Sequence, residues 1–327
     1  MKSFIPQFPK FRAIQMAMIA ALLALGSIGI THAQIYVAFG NSGVVGTYST
    51  SGSSVNSSFI SIDHPYGINL NSGSLYVGTL TSGQSTSAAV NRFNATTGVA
   101  ISAPLQSYGA PVIDLALYGG NVYTAYFGNN NVGEYSATVP QSVVSHGIIS
   151  GGLGSPRGVA FDAGGTLYVS SYSGGTVGTY TSTGTPINAS LITGVTNPWG
   201  IAVDAAGNIY VGSDVSGSGG SVGKYDIATH QFNASFITGL NRPLYLTLDG
   251  QGDLFVSMFG DTSSNGSIGK FDTTTGLGNA QFITSLNGPT GIAIDPTVIP
   301  EPSSVALISI GVLAFASWKT RRTLRNN

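Results

Sequence analysis

Short apolar runs of about five residues recur along the chain, and each ends at a turn of polar residues and glycine. One example is Gly200–Asp204, with the sequence GIAVD, which is followed by AAGN and a second apolar run, IYVGS. A loop rich in glycine and serine, the segment SVGKYD and the segment FNASFIT complete the unit. Apolar runs of this length between turn residues predict β-strands, so the pattern predicts a unit of four short strands.

Two markers show that this unit occurs six times. A proline opens each first strand, with intervals of 46, 45, 42, 45 and 46 residues, at Pro65, Pro111, Pro156, Pro198, Pro243 and Pro289. An aromatic residue in a later strand keeps the same spacing, at Tyr48, Phe93, Tyr135, Tyr180, Tyr225 and Phe271. Four-stranded units repeated every 40–50 residues or so predict a β-propeller, an all-β fold whose blades stack on their apolar faces.

The first and last units are incomplete in a complementary way. The first begins at its second strand, IYVAFG from Ile35, and the last stops after its first strand, at Asp295. We therefore expect a six-bladed propeller of four-stranded blades over residues 34–297. The N- and C-terminal part-blades would pair and close the ring, which removes exposed sheet edges.

The phrase PxGIAVDxxGNIYV…VGKYD resembles NHL-type repeats and the propellers that are similar to virginiamycin B lyase. The resemblance covers essentially all of residues 34–297 and implies the same six-bladed architecture. It does not imply an activity, because propellers of one architecture carry many unrelated functional sites.

The N-terminal segment has the order of parts of a signal peptide. Lys2, Lys10 and Arg12 precede an apolar stretch, and Thr31-His32-Ala33 is an acceptable cleavage site. This order predicts a Sec-type signal peptide over residues 1–33, with Gln34 first in the mature chain. The alternative is an uncleaved N-terminal membrane anchor.

The C-terminal segment, residues 298–327, contains Pro300-Glu301-Pro302, an apolar run from Val305 to Trp318 and a basic tail. The run is shorter than the ~20 residues that span a bilayer comfortably. The basic tail favours a cytoplasmic end with everything upstream outside. A plain tail anchor is one interpretation of this segment.

The order of these parts also resembles the PEP-CTERM sorting signal of Gram-negative bacteria. The resemblance implies recognition of Pro300, Glu301 and Pro302 by the membrane protease exosortase. It also implies membrane attachment through a short transmembrane helix before processing. The genomes of this family usually encode exopolysaccharide production.

Charge limits the choice of partner. Charged residues make up 8% of the chain, whereas an average domain has roughly 25%. Between residues 34 and 297, five basic residues stand against twelve acidic ones, a net charge of about −7. Nucleic acid is therefore not an expected partner, because such a surface repels a phosphate backbone. The chain has no cysteine, which excludes disulfides and thiolate metal sites.

The propeller sequence offers no obvious catalytic or metal-binding set. Only His64 is expected near the channel mouth, while His146 and His230 fall near outer strands. Glu134 falls on a third strand, and Asp162, Asp204, Asp249 and Asp295 occupy the turns after first strands. We expect no catalytic residues, no metal and no cofactor, although bound calcium remains an open alternative.

Asp114 is the exception among the inner strands. Three residues after their prolines, the other units carry Ile68, Val159, Ile201, Leu246 and Ile292. An unpaired buried carboxylate is costly, so Asp114 must face a polar partner or its strand must shift by one residue. It is a possible channel acid or a hydrogen-bonded structural aspartate.

The residues that flank the prolines are the predicted ligand-binding set. If they ring one mouth of the channel, Tyr66 and Trp199 offer stacking faces, and donors come from His64, Arg157, Asn197 and Arg242. Aromatic faces with planar donors suit sugar rings, uronates or a peptide carboxylate. The alternative is that Tyr66 and Trp199 cap the hydrophobic interior.

These patterns predict an exported propeller at the envelope, outer surface or extracellular matrix of a Gram-negative bacterium. It would bind or scaffold an extracellular polymer without catalysis, and the sorting-signal resemblance points to exopolysaccharide. One alternative is a lyase or hydrolase at the channel mouth, which needs two acids or a His–acid pair there. Another is a platform for protein–protein interaction, which needs an exposed apolar patch.

Overall fold

The computed structural model describes residues 34–295, apart from 81–87, 107–109, 139–141 and 263–264. These residues form 24 β-strands and no helix, in six antiparallel sheets of four strands each. The predicted signal peptide, sorting signal and transmembrane helix lie outside the described residues. Gln34–Pro296 forms one compact unit.

Each sheet is one blade, and its strands are as follows. The second, third and fourth strands of blade 1 come from the start of the domain and are β1 (Gln34–Phe39), β2 (Val44–Ser49) and β3 (Ser54–Ser61). Blade 2 contains β4 (Pro65–Asn71), β5 (Ser74–Thr79), β6 (Ala89–Asn94) and β7 (Leu105–Gln106), and blade 3 contains β8 (Val112–Tyr118), β9 (Asn121–Tyr126), β10 (Asn131–Ser136) and β11 (Val143–Ser150). Blade 4 contains β12 (Pro156–Phe161), β13 (Leu167–Ser171), β14 (Thr176–Tyr180) and β15 (Pro186–Thr193), and blade 5 contains β16 (Pro198–Val203), β17 (Ile209–Ser213), β18 (Gly220–Asp226) and β19 (Gln231–Leu240). Blade 6 contains β20 (Pro243–Leu248), β21 (Asp253–Met258), β22 (Gly266–Asp272) and β23 (Gly278–Leu286), and β24 (Pro289–Ile294) is the inner strand of blade 1.

The ring closes where the two ends of the domain meet. β24 pairs antiparallel with β1, so that Tyr36 lies opposite Ala293 and Val37 lies opposite Ile292. The innermost strands β24, β4, β8, β12, β16 and β20 contact one another in succession around the channel. The predicted six-bladed propeller, closed by two part-blades, is therefore confirmed.

Hydrophobic clusters between neighbouring blades hold the ring together. In the cluster between blades 3 and 4, Ala125 and Val132 pack with Leu167 and Val169, and all four are fully buried. Five further clusters join the other blade pairs in the same way. Because burial of one aliphatic side chain contributes roughly 1.5–3 kcal/mol, blade stacking is the main source of stability.

Tyrosines of the second strands add hydrogen bonds between blades. The hydroxyl of Tyr36 donates to the carbonyl oxygen of Ala95 in blade 2 at 2.8 Å. The hydroxyl of Tyr210 in blade 5 donates to the carbonyl oxygen of Thr273 in blade 6 at 3.1 Å. Burial, with a smaller effect of the Asp295 charge, raises the pKa of Tyr36 to about 12, so it remains a donor.

Aspartates in the turns after the first strands have the structural role that the sequence predicts. In Asp162, Asp204 and Asp249, the Oδ1 atom accepts the backbone N–H four residues later, at 2.8, 2.8 and 3.0 Å. These hydrogen bonds close the turn between the inner strand and the second strand. The three carboxylates therefore belong to the scaffold.

Candidate functional site

The proline ends of the inner strands lie at one mouth of the channel, which we call the proline mouth. Four residues that precede these prolines have positive φ angles of 41°, 52°, 47° and 53°: His64, Ser155, Asn197 and Arg242. This conformation is uncommon for residues other than glycine. It is held by their carbonyl oxygens, each of which accepts, at 3.0–3.1 Å, the N–H of the residue that follows the second strand of the same blade.

The residues that follow the second strands form a second part of the proline mouth, which the sequence analysis missed. They are Gly40, Leu80, Phe127, Tyr172, Asp214 and Phe259. Each is the last residue of one of the segments IYVAFG, LYVGTL, VYTAYF, LYVSSY, IYVGSD and LFVSMF. Aligning these six segments by the period of the repeat would have identified their last residues as equivalent positions.

Arg157 lies among aromatic side chains of three consecutive blades. Its guanidinium carbon is 4.0 Å from the ring centroid of Phe127, 4.3 Å from that of Trp199 and 4.9 Å from that of Tyr172. Its Nε atom is buried without a hydrogen-bond partner. Burial lowers the pKa of Arg157 from its usual range, but arginine is charged at neutral pH even so. The guanidinium therefore lies over three aromatic rings, and its Nε atom has no acceptor.

Arg242, by contrast, has a carboxylate partner. Its Nε donates to Oδ1 of Asp214 at 3.0 Å, and Asp214 is buried. Burial disfavours the charged guanidinium, but the hydrogen bond and charge of Asp214 outweigh it and raise the pKa of Arg242. The amide of Asn197 donates to the carbonyl oxygen of Asp214 at 3.2 Å. Both predicted donors are therefore engaged within the protein.

Trp199 does not present an open stacking face. Its side chain belongs to the buried core, with 7% of the residue exposed. One face is covered by Arg157, and the ring of Tyr172 meets it edge-on, at 5.8 Å and 90°. The indole Nε1 lies close enough to Tyr245 to oppose the rise in its pKa that burial causes, but it falls short of a hydrogen bond. This placement favours the alternative that Trp199 caps the interior.

Tyr66 is half-buried at the proline mouth. Its ring lies close to Gly40, where a Cβ atom would be 3.0 Å from the ring carbon Cε2, so a larger residue there would require the ring to shift by a few tenths of an ångström. Burial raises the pKa of Tyr66, while the charges of Arg157 and Arg242 oppose the rise. The structure therefore brings Tyr66 into the same electrostatic environment as the two predicted arginines.

His64 forms a pair with its neighbour in sequence. Its Nδ1 atom lies 2.5 Å from Oδ1 of Asp63, and both side chains are exposed, by 38% and 67%. This is a His–acid pair at the start of an inner strand. A pair of this kind is what the lyase or hydrolase alternative needs, but its acid is Asp63 and not Asp114, the possible channel acid predicted from the sequence.

Tyr245 closes the channel. It lies on the inner strand of blade 6, and its buried hydroxyl donates a hydrogen bond across the axis to the carbonyl oxygen of Ile113 in blade 3. Burial raises its pKa well above the usual value, so the hydroxyl keeps its proton. The channel is therefore divided at this level, which we call the waist.

Asp114 also lies at the waist, and the strand register corrects the predicted alignment. Val112, rather than Pro111, pairs with the last residue of β9, so the inner strand is shifted by one residue. By pairing position, Asp114 corresponds to Tyr245 and to the glycines of the other inner strands, not to Ile68. The glycine of blade 2 shows the close approach at this level, because a Cβ atom on Gly67 would lie 2.6 Å from the Cα atom of Asp114.

The carboxylate of Asp114 has polar partners as well. Its Oδ1 accepts the N–H of Leu115 at 2.8 Å, and its Oδ2 accepts the N–H of Val159 in blade 4 at 3.1 Å. Burial raises its pKa to about 7, although both backbone hydrogen bonds lower it. Asp114 is therefore a hydrogen-bonded aspartate that links two blades.

A cavity of about 350 Å³ occupies the channel on the far side of the waist from the proline mouth. Its walls are the second halves of the six inner strands, and Asp114 and Tyr245 also line it. The predicted mouth residues do not line this cavity. Within the described ranges, no three histidine or acidic side chains come together as a metal site.

Several solved structures have a similar fold. A chain in the crystal structure of a nidogen/laminin complex has a TM-score of 0.63 at 15% identity, covering 80% of this chain and 98% of that one. Proposed 6-phosphogluconolactonases from Bacteroides uniformis and Bacteroides fragilis have TM-scores of 0.60 and 0.59, at 13% and 14% identity. The matches cover 81% and 82% of this chain, and 99% of each of those chains. At these identities the likeness is one of fold alone.

The C-terminal segment is more specific. The family model of the PEP-CTERM protein-sorting motif matches residues 298–322. The chain carries a PEP-CTERM sorting signal. This signal indicates that the chain is exported to the cell surface and processed by exosortase, as the resemblance of the sequence implied. No curated protein matches the chain, and the described residues include no helix that is long and apolar enough to cross a membrane.

Proposed function

We propose that this PEP-CTERM protein binds an extracellular polysaccharide at the proline mouth and does not act on it chemically. The observation that carries the proposal is the group of rings around Arg157, in which Phe127 is 39% exposed and Tyr172 is half-buried. The half-buried ring of Tyr66 is near enough to Arg157 for that charge to affect its pKa. Sugars bind through the stacking of their apolar faces on aromatic rings and through a few polar groups that fix orientation. The exposed rim of the mouth offers both.

We further propose the route by which the propeller reaches its site of action. Residues 1–33 are a Sec-type signal peptide, residues 34–297 are the NHL-like propeller, and residues 298–327 are the sorting signal with a transmembrane helix that holds the chain before processing. The mature protein lies on the outer surface or in the extracellular matrix of a Gram-negative bacterium. Exopolysaccharide is the expected polymer, because the bacteria that carry PEP-CTERM sorting signals usually encode exopolysaccharide production.

A polysaccharide-binding screen with the full-length protein tests the proposal. We expect binding to at least one polymer and a loss of about tenfold or more on Phe127→Ala, because the exposed ring is removed. Leu277→Ala is the matched control, since Leu277 is 74% exposed in a turn of blade 6 and should not affect binding. Absence of binding across a broad panel contradicts the proposal, and so does equal binding by both variants.

A second candidate function is favoured by the pair of His64 and Asp63. A histidine next to a carboxylate is suited to remove or deliver a proton, so this pair could serve a lyase or hydrolase at the proline mouth. The test is release of new chain ends from any polysaccharide that binds, with His64→Ala as the variant. Cleavage that the variant abolishes would replace the non-catalytic proposal.

The interaction-platform alternative has less support. Val55, Val144 and Ile187 are large, exposed apolar side chains, at 57%, 54% and 61%. They lie on the outer strands of three different blades, which are blades 1, 3 and 4. Scattered exposed apolar residues are normal for a soluble domain.

A further inference from the structure

The basic side chains of the propeller differ in whether they have an acceptor. The described residues contain five, and four of them are hydrogen-bonded or ion-paired. These pairs are Arg92 with Ser74 and Ala137, Lys224 with Thr273, Arg242 with Asp214, and Lys270 with Asp253. Arg157 is the fifth, and the described residues provide no acceptor for any of its nitrogens.

The surroundings of Arg157 indicate that its missing acceptor is supplied by a ligand. A guanidinium has five N–H donors in one plane, and buried donors are nearly always satisfied in folded proteins. Its guanidinium carbon lies 4.0–4.9 Å from the ring centroids of Phe127, Trp199 and Tyr172, and these cation–π contacts restrict its position. The Nε atom is buried without a hydrogen-bond partner. An arginine whose donors lack an acceptor among the described residues is therefore held at the proline mouth.

The one acid whose charge affects the pKa of Arg157 cannot serve as its acceptor. This acid is Asp214, and its carboxylate is held by Arg242 at 3.0 Å and 3.5 Å. The domain as a whole is acidic, with a net charge of about −7, so it repels anions in general, and Arg157 is the position at which an anion can be attracted. These facts favour a ligand that brings its own small planar anion to Arg157.

We propose that Arg157 binds the carboxylate of a uronic acid, so that the polymer taken by the proline mouth is an acidic polysaccharide. This inference rests on the proposed function and specifies its ligand. The fork of a guanidinium matches a carboxylate in geometry and forms two parallel charge-assisted hydrogen bonds with it. The half-buried ring of Tyr172 and the exposed ring of Phe127 lie next to the guanidinium and offer stacking surfaces to the sugar that carries the carboxylate.

Calorimetric titration of the full-length protein with oligogalacturonate tests the inference. The methyl ester of the same oligosaccharide is the comparison, because it keeps the sugar and removes only the charge and one acceptor. We expect the free acid to bind and the ester to bind about tenfold more weakly or not at all, a difference of about 1.4 kcal/mol or more. This comparison uses the wild-type protein, so it does not depend on the folding of a variant.

Substitutions then locate the site. Arg157→Gln should weaken the binding of the free acid by about tenfold or more. Arg157→Lys should weaken it as well, because an ammonium keeps the charge but lacks the fork. Arg92→Gln is the matched control, since it removes the same charge from an arginine whose acceptors lie on blades 2 and 3, and it should change the affinity by less than about twofold.

The outcomes separate this inference from the proposed function. If the ester binds as tightly as the acid, or if Arg157→Gln binds as wild type does, the uronate assignment is wrong while polysaccharide binding stands. Equal binding of poly-L-glutamate overturns the assignment to a sugar. Failure of every acidic oligosaccharide, with neutral polymers still bound, also overturns it, whereas failure of all polysaccharides contradicts both proposals.

Discussion

Asp114→Asn tests the energetic effect of the carboxylate at the waist. Burial raises the pKa of Asp114 from 3.8 to about 7. Between these two pH values the folded protein holds a proton that the unfolded chain has released, so the free energy of unfolding falls as pH rises through this window. The shift of about three pH units corresponds to a loss of about 4 kcal/mol, complete above about pH 7.

The asparagine variant removes this titration but also changes the hydrogen bonding. The amide nitrogen of asparagine cannot accept a hydrogen bond. The N–H of either Leu115 or Val159 is therefore left without an acceptor at every pH, which costs roughly 1–3 kcal/mol. We therefore expect wild type to be the more stable protein near pH 4. The difference should shrink as pH rises, and the variant should equal or exceed wild type at pH 8.

Thermal unfolding of both proteins between pH 4 and pH 8 measures this difference. About 4 kcal/mol corresponds to a change of about 8–16 °C in the gap between the two melting temperatures for a domain of this size. Asp162→Asn is the control, because it removes a carboxylate that holds a turn. A gap between wild type and Asp114→Asn that stays constant with pH would refute the reasoning.

Two further substitutions test the waist. Gly67→Ala should destabilise the protein by roughly 1–3 kcal/mol or more, because its Cβ would lie 2.6 Å from the Cα atom of Asp114 and 2.7 Å from the carbonyl oxygen of Ile113. Gly147→Ala on an outer strand has ordinary contacts and should be neutral or stabilising in denaturant unfolding, and equal effects of the two would contradict this explanation. Tyr245→Phe should cost roughly 1–3 kcal/mol in the same assay, because it leaves the buried carbonyl oxygen of Ile113 unpaired; an unchanged midpoint would show that the hydrogen bond across the axis does not stabilise the ring.

The fold could be predicted because its signals are local and repeat. A proline at the start of each inner strand and an aromatic residue in each third strand recur with one period, so six blades and their closure follow from counting. The positions of Pro65 and Pro289 define inner strands that the structure confirms. The residues that follow the second strands recur with the same period. They were not predicted as part of the site, because only the residues next to the prolines were considered.

The details of the site could not be predicted in this way. Counting from Pro111 placed Asp114 one residue too far along the strand, because a shift in pairing cannot be seen in the spacing of side-chain types. The state of Arg157 depends on Phe127, Tyr172 and Trp199, which come from three blades and meet only in the folded ring. A sequence shows that an arginine is present, but not whether a neighbour supplies its acceptor.

The pairing of β24 with β1 also determines when folding can finish. Ile35 pairs with Ile294, so the first blade keeps an open inner edge until nearly the whole domain is present. Contacts between such distant residues form late, so a chain exported with its N-terminus first, as proposed above, would complete its ring only after its last strand has emerged. Since the sorting motif begins at residue 298, four residues after β24, closure of the ring and exposure of the motif would then be nearly simultaneous.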